Sequence, residues 1–341
     1  MPAFDSTQPD RTSRTLQFAV FATSVAWFIS SDILASRAAR GLSQHFDFAA
    51  GRFLLASIFL LFLLVVGFSL LNTIARQYPS LRDVLGLPKR PTSSKEWATG
   101  AAIGWGIVVL AVLPMALTGA LHVNFWTDSR AFWLIVVNLL TLAVAALAEE
   151  AAFRGYPFRC LIQAIGPVAA TIVTSLLFGL GHMLNNDATW TSVLITMLAG
   201  VLFSVAWLRT HGLWLPWGLH FAWNASMGIL FGLPVSGITD FSTVMQTRAI
   251  GRIWFTGGDY GPEGALFTVV AIMVGIVVLV RVTRDYAWHY TYTPIIAAGY
   301  PMDAPPPAAH TAMEQQARPA PLVQILPSTP QSRSAGEDPE S

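Results

Sequence analysis

The sequence predicts an all-α, polytopic integral membrane protein of about eight transmembrane helices, with a functional site in the cytoplasmic half of the bundle. Two observations set the class. Of 341 residues, 54% are hydrophobic and 11% charged, which is not a soluble balance. Several stretches also reach the roughly 20 apolar residues needed to cross a hydrocarbon core of about 30 Å. A third observation points to the site: between Glu149 and Asn224, glutamates, an arginine and histidines stand inside otherwise lipid-soluble sequence. Ionisable groups at membrane depth are costly and face a protein interior or a water-filled cavity.

Taken in order, residues 1–14 read as a short cytoplasmic tail, and 15–290 as the transmembrane domain, with its motif core at 130–282. The apolar spans are expected at 16–34, 53–72, 98–119, 131–149, 167–184, 191–208, 213–232 and 264–281. The first has a basic lead (Arg11, Arg14) like a signal peptide, but its apolar run is long and no small-residue cleavage site follows, so a retained helix is expected. Gly100 and Gly104 provide a GxxxG spacing for close helix packing in the third span. The basic connector 73–96 contains Gln77–Leu87, which reads either as a short amphipathic surface helix or as a solvated link. Trp97, Trp126, Trp133, Trp207 and Trp214 fall near span ends, where interfacial anchoring places tryptophan. The Pro, Ala and Ser-rich 299–341 stretch cannot build a packed core and reads as a disordered cytoplasmic tail.

Charge supplies the orientation. On the N-terminal side of the predicted spans lie Arg11, Arg14, Arg76, Arg82, Lys89, Arg90, Lys95, Arg154, Arg159, Arg209, Arg281 and Arg284; opposite lie Arg37, Arg40, Arg52, Arg130, Arg248 and Arg252. Positive-inside bias therefore puts both termini in the cytoplasm. A net charge of +1 and the lack of a basic patch exclude nucleic acid as a partner. The single Cys160 excludes an intrachain disulfide and reads as an inert packing residue.

The chemistry lies in three polar elements. Glu150 and Arg154 stand at i and i+4 and can pair on one helix face, leaving Glu149 about 100° away. Phe178 and His182 repeat the spacing, as do His220 and Asn224. With a turn at Gly166-Pro167 and the fourth helix unbroken to about Cys160, Glu149 and His182 are equidistant from the turn and are expected to face each other. A second turn is expected at His211-Gly212. A carboxylate in such a pocket suits a general base that takes a proton from water. Glu149 is the candidate base, His182 would hold and polarise the water, and His220 with Asn224 would stabilise a developing oxyanion. Glu149, His182 and His220 also make a carboxylate and two-imidazole set of the kind that binds Zn²⁺. The sequence lacks H-E-x-x-H, which favours hydrolysis without a metal while leaving zinc open.

At these residues the chain resembles the CPBP family of CAAX prenyl endopeptidases and bacteriocin-processing or immunity proteins, also called Abi. Glu149-Glu150-Ala151-Ala152-Phe153-Arg154 matches its Glu-Glu-x-x-x-Arg, Phe178 to His182 its Phe-x-x-x-His, and His220 to Asn224 its His-x-x-x-Asn/Asp. The segment Thr256–Gly264 looks like a glycine-rich stretch found before the last helix of bacterial members. The resemblance implies an intramembrane endopeptidase acting on a membrane-bound or prenylated substrate, in contact with lipid, in a bacterial cytoplasmic membrane. It assigns catalysis to Glu149, His182, His220 and Asn224, with Glu150, Arg154 and Phe178 in support. The alternative it carries is a non-catalytic immunity or scaffold protein.

Overall fold

A computed structural model describes residues 13–75, 81–127 and 129–284. The expected tails, at 1–12 and 299–341, lie outside the described residues, as do residues 76–80 of the connector.

Helix α1 (Arg14–His45) is capped by Ser13, whose hydroxyl accepts from Leu16 N, and is followed by α2 (Arg52–Ile74). A short α3 (Leu81–Leu85) precedes α4 (Ser93–Leu117), and β1 (Leu121–Phe125) precedes α5 (Ser129–Arg154). Then come α6 (Tyr156–Ile165), α7 (Pro167–Gly181), α8 (Trp190–Thr210) and α9 (Trp214–Ala225). A π turn, Ser226–Leu230, extends α9. The chain ends in β2 (Met245–Ala249), α10 (Ile253–Thr256) and α11 (Leu266–Val282). Among the described residues, six helical segments are long and apolar enough to cross a membrane, and α11 is a shorter apolar helix. The predicted 213–232 span is α9 with its π turn, too polar and too short to join the six.

Two expectations fail here for identifiable reasons. The fourth predicted helix is not continuous: Gly155 (φ −82°, ψ −133°) separates α5 from α6, whose first turn carries Pro157. Proline has no N–H to give Phe153 O and its ring crowds that carbonyl, which favours a break here. The break at Gly155 lies between Glu149 and the Gly166-Pro167 turn. The second difference is a sheet at the other end of the bundle, β1 antiparallel to β2, pairing Leu121 with Ala249 and Phe125 with Met245. Its strands lie 120 residues apart in sequence, beyond the reach of local pattern.

Both predicted turns form. Gly166 adopts φ 85°, open to glycine at little cost, and Pro167 starts α7; His211 takes the left-handed conformation at φ 49° between α8 and α9. The α8–α9 turn is held by the connector. Arg90 donates to Thr210 O at 2.6 Å and His211 O at 3.0 Å, and Trp214 Nε1 donates to Pro88 O at 2.8 Å. That part of the connector is a strap across the turn, and Trp214 is one of its fastenings. Trp207 is buried in edge contact with Phe158 at 5.2 Å, so it is core and not interfacial belt. Trp126 and Trp133 are exposed, as anchors should be.

Packing divides into two cores. One joins α4, α8, α9 and α11 around residues such as Ile107, Phe203, Leu219 and Ile272; the other joins α1, α2, α5 and α6 around Leu64, Phe68, Phe158 and Leu161. Phe153 packs against both. The α4–α9 crossing is seated on glycine: a Cβ at Gly100 or Gly104 would collide with the backbone of Leu215 or Leu219, and one at Gly218 with Trp97 O. The GxxxG spacing therefore serves close helix approach.

Candidate active site

The site forms along the seam between the cores, where the C-terminal turns of α5 meet α7, α8 and α9. Glu150 and Arg154, one turn apart, are both fully buried and make a salt bridge at 3.3 Å. Arg154 also donates to Gly200 O at 3.1 Å, and its guanidinium lies over the rings of Phe178 (4.4 Å to the centroid) and Phe203 (5.2 Å). A buried arginine is tolerable only with such partners, because removing a charge from water costs several kcal/mol.

His220 comes from α9. Its Nδ1 lies 2.9 Å from Glu150 Oε1, and its ring stacks on Phe203 at 4.7 Å with a 20° interplanar angle. Glu150, paired with Arg154, acts as a carboxylate acceptor, so Nδ1 carries the proton and Nε2 is the free ring position. That Nε2 stands 3.8 Å from Glu149 Oε2. The two adjacent glutamates differ sharply. Glu150 is wholly buried and bound on two sides, whereas the Glu149 side chain is 33% exposed and its Oε2 is buried with no hydrogen-bond partner.

His182 lies at the C-terminal end of α7. Its Nδ1 sits 2.8 Å from Phe178 O, and its ring is 4.6 Å from that of Phe178. Phe178 also meets His220 edge-on at 6.2 Å. One phenyl ring thus links both imidazoles. The structure brings His220 into reach of Glu149. Asn224 follows His220 by one turn on α9 and is half-buried.

Zinc on Glu149, His182 and His220 is the alternative that the sequence leaves open. Among the described residues, no three of His, Cys, Asp and Glu stand together in the manner of a metal site. His220 turns Nδ1 to Glu150 and His182 turns Nδ1 to its own helix, which leaves the Nε2 of each ring free.

Sequence reasoning missed three participants. Phe203 and Gly200 come from α8, an apolar helix with no polar signal at those positions. The third is Glu263, three residues beyond Tyr260 in the loop before α11. It is buried, accepting from Trp223 Nε1 at 2.9 Å and from Ser236 N and Oγ at 2.5 and 2.6 Å. Burial, with the Glu263 carboxylate beside it, pushes the Tyr260 hydroxyl up to about 12, so it stays neutral. Glu263 lies inside the glycine-rich segment noted above, and an acidic residue between glycine and proline was its visible signal.

Residues 130–226 match the family model described as type II CAAX prenyl endopeptidase Rce1-like. All seven residues of the three motifs fall within that match. The chain is also similar to the uncharacterized protein YyaK of Bacillus subtilis (strain 168), with 25% identity over 201 residues, 52% of this chain and 64% of the relative. It thus spans less than two thirds of that relative's length. No solved structure matches.

Proposed function

We propose, on the premise that residues 130–226 are an Rce1-like segment, that this membrane protein is an intramembrane endopeptidase of the CAAX-protease type. The observation that carries the reading is the division of labour between adjacent glutamates: Glu150 is consumed by Arg154 and His220, while Glu149 keeps a buried oxygen without a partner, 3.8 Å from a free imidazole nitrogen.

In this reading Glu149 removes a proton from water, and the water oxygen bonds to the carbonyl carbon of the scissile amide. The carbonyl oxygen becomes an oxyanion, stabilised by donation from His220 Nε2–H and the Asn224 amide. Glu150 holds His220 by Nδ1 and stabilises the imidazolium form that has a proton on both nitrogens. Collapse breaks the C–N bond, and Glu149 returns its proton to the departing amine. His182, with Nδ1 held on its own helix, offers Nε2 to the water. The substrate is a membrane-bound or lipidated peptide, reached from the cytoplasmic half of the bilayer with both termini of the enzyme in the cytoplasm.

The test compares the membrane peptidome of cells carrying wild type with that of cells carrying Glu149→Ala. Peptides whose cleavage disappears in the variant are expected. If Glu149→Ala, His182→Ala and His220→Ala each leave every cleavage intact, the catalytic reading falls and the non-catalytic immunity or scaffold role takes its place.

A further inference from the structure

A third carboxylate stands at the site from an element the mechanism does not use. Asp32 lies within α1, well inside the first membrane-spanning helix. As the first and fourth of the membrane-crossing segments, α1 and α5 run in opposite directions, and their contact is marked by Phe28 against Phe153, edge-on with centroids 5.3 Å apart. Asp32 is four residues after Phe28; Glu149 is four before Phe153. In antiparallel helices these steps go the same way, so both carboxylates lie one turn, roughly 6 Å, from the phenyl pair, toward the same end and on the same faces. Asp32 is exposed, and its neighbour Ser31 is buried with its hydroxyl unpartnered.

An exposed carboxylate at this depth cannot face hydrocarbon without a large cost, so it marks a place that water reaches. Its field is not cancelled locally. Of the charged groups around Glu149, Arg154 is fully buried and bound to Glu150 and Gly200 O, and His220 is bound to Glu150. Asp32 and Glu149 are the groups that face outward, and both are acidic.

We infer that Asp32 forms the acidic rim of a water-filled vestibule between α1 and α5, and that it selects peptides carrying Lys or Arg beside the scissile bond. The second half rests on the hydrolytic reading above; the first does not. Asp32 is a specificity-determining residue in this scheme, acting by charge attraction across the vestibule.

The vestibule is tested without activity. Cys160 is buried, so wild type serves as the unlabelled control. In intact membranes, Asp32→Cys and, separately, Ser36→Cys one turn along α1 are treated with a cationic (trimethylammonium) and an anionic (sulfonate) methanethiosulfonate. Rates are normalised to Ser94→Cys at an exposed position of the connector. Both cysteines should be modified, the cationic reagent faster by at least about threefold, the effect of one charge some 6 Å away in water. Glu149→Gln should reduce that preference at Asp32→Cys, and Asp32→Asn should reduce it at Ser36→Cys. Failure of either reagent to modify both cysteines, or a preference indifferent to these changes, overturns the vestibule.

Selection is tested on the peptides whose cleavage depends on Glu149. Those with Lys or Arg near the cut should fall about tenfold in Asp32→Asn, while neutral ones persist. An equal yield of both kinds overturns selection. If no peptide depends on Glu149, the hydrolytic reading fails and selection with it, while the labelling still decides the vestibule.

Discussion

Glu150 and Glu263 are both buried carboxylates that grip helix α9, yet they are built from opposite chemistry. Glu150 is held by a cation and an imidazole, with Arg154 at 3.3 Å and His220 at 2.9 Å. Glu263 is held by neutral donors, the Trp223 indole at 2.9 Å and the backbone and hydroxyl of Ser236. His220 and Trp223 are three residues apart on α9, so one short helix is pinned to α5 through one residue and to the loop before α11 through the other. A cationic grip leaves an imidazole nitrogen free and polar; a neutral grip spends every donor on position. The difference teaches that the loop side holds α9 through neutral donors alone, while the α5 side holds it through a charged pair that leaves His220 Nε2 unspent.

Breaking each grip sharpens the contrast. Arg154→Ala strands Glu150 in the core, and thermal unfolding of the detergent-solubilised protein should register a loss of about 3–5 kcal/mol, the usual cost of orphaning a buried charge. Glu263→Ala should cost less, about 2–3 kcal/mol, because the groups left behind are neutral donors that once bonded to a charge. A smaller but steric effect is expected from Gly104→Ala at the α4–α9 crossing, where a Cβ meets the Leu219 carbonyl; overpacking there should cost about 1–3 kcal/mol in the same assay. Trp223→Phe removes a single donor and should lower stability by about 1 kcal/mol. The smallest change is predicted for Glu149→Gln, within about 0.5 kcal/mol of wild type, although the proposed cleavage should vanish. A Glu149→Gln loss as large as that of Arg154→Ala would make Glu149 a structural residue and remove its separation from Glu150.

Much of the site was legible because charged residues in apolar sequence have few explanations. The i, i+4 pairing of Glu150 with Arg154 is a property of one helix, and it forms as expected. So are the spacings Phe178 to His182 and His220 to Asn224. The unbroken fourth helix is what the structure corrects: Gly155 and Pro157 divide it into α5 and α6. Trp207 and Trp214 were read as belt residues because position along a span carries no information on which way a ring points. Glu263 was passed over because its partners, Trp223 and Ser236, are 40 and 27 residues away, and no local periodicity connects them.

By itself the sequence determined that this is a helical membrane protein, where its turns fall, and which residues are too polar for lipid and must be sheltered. These follow from transfer energies and backbone geometry, which act on neighbours within one helix. Only the tertiary structure decided that His220 stands beside Glu149, that Glu150 is spent in holding it, and that Glu263 steadies the same helix from the loop side. Those outcomes depend on how helices from distant parts of the chain cross, and a crossing is fixed by side-chain volumes and by glycines such as Gly100, Gly104 and Gly218, at a range that sequence spacing does not encode.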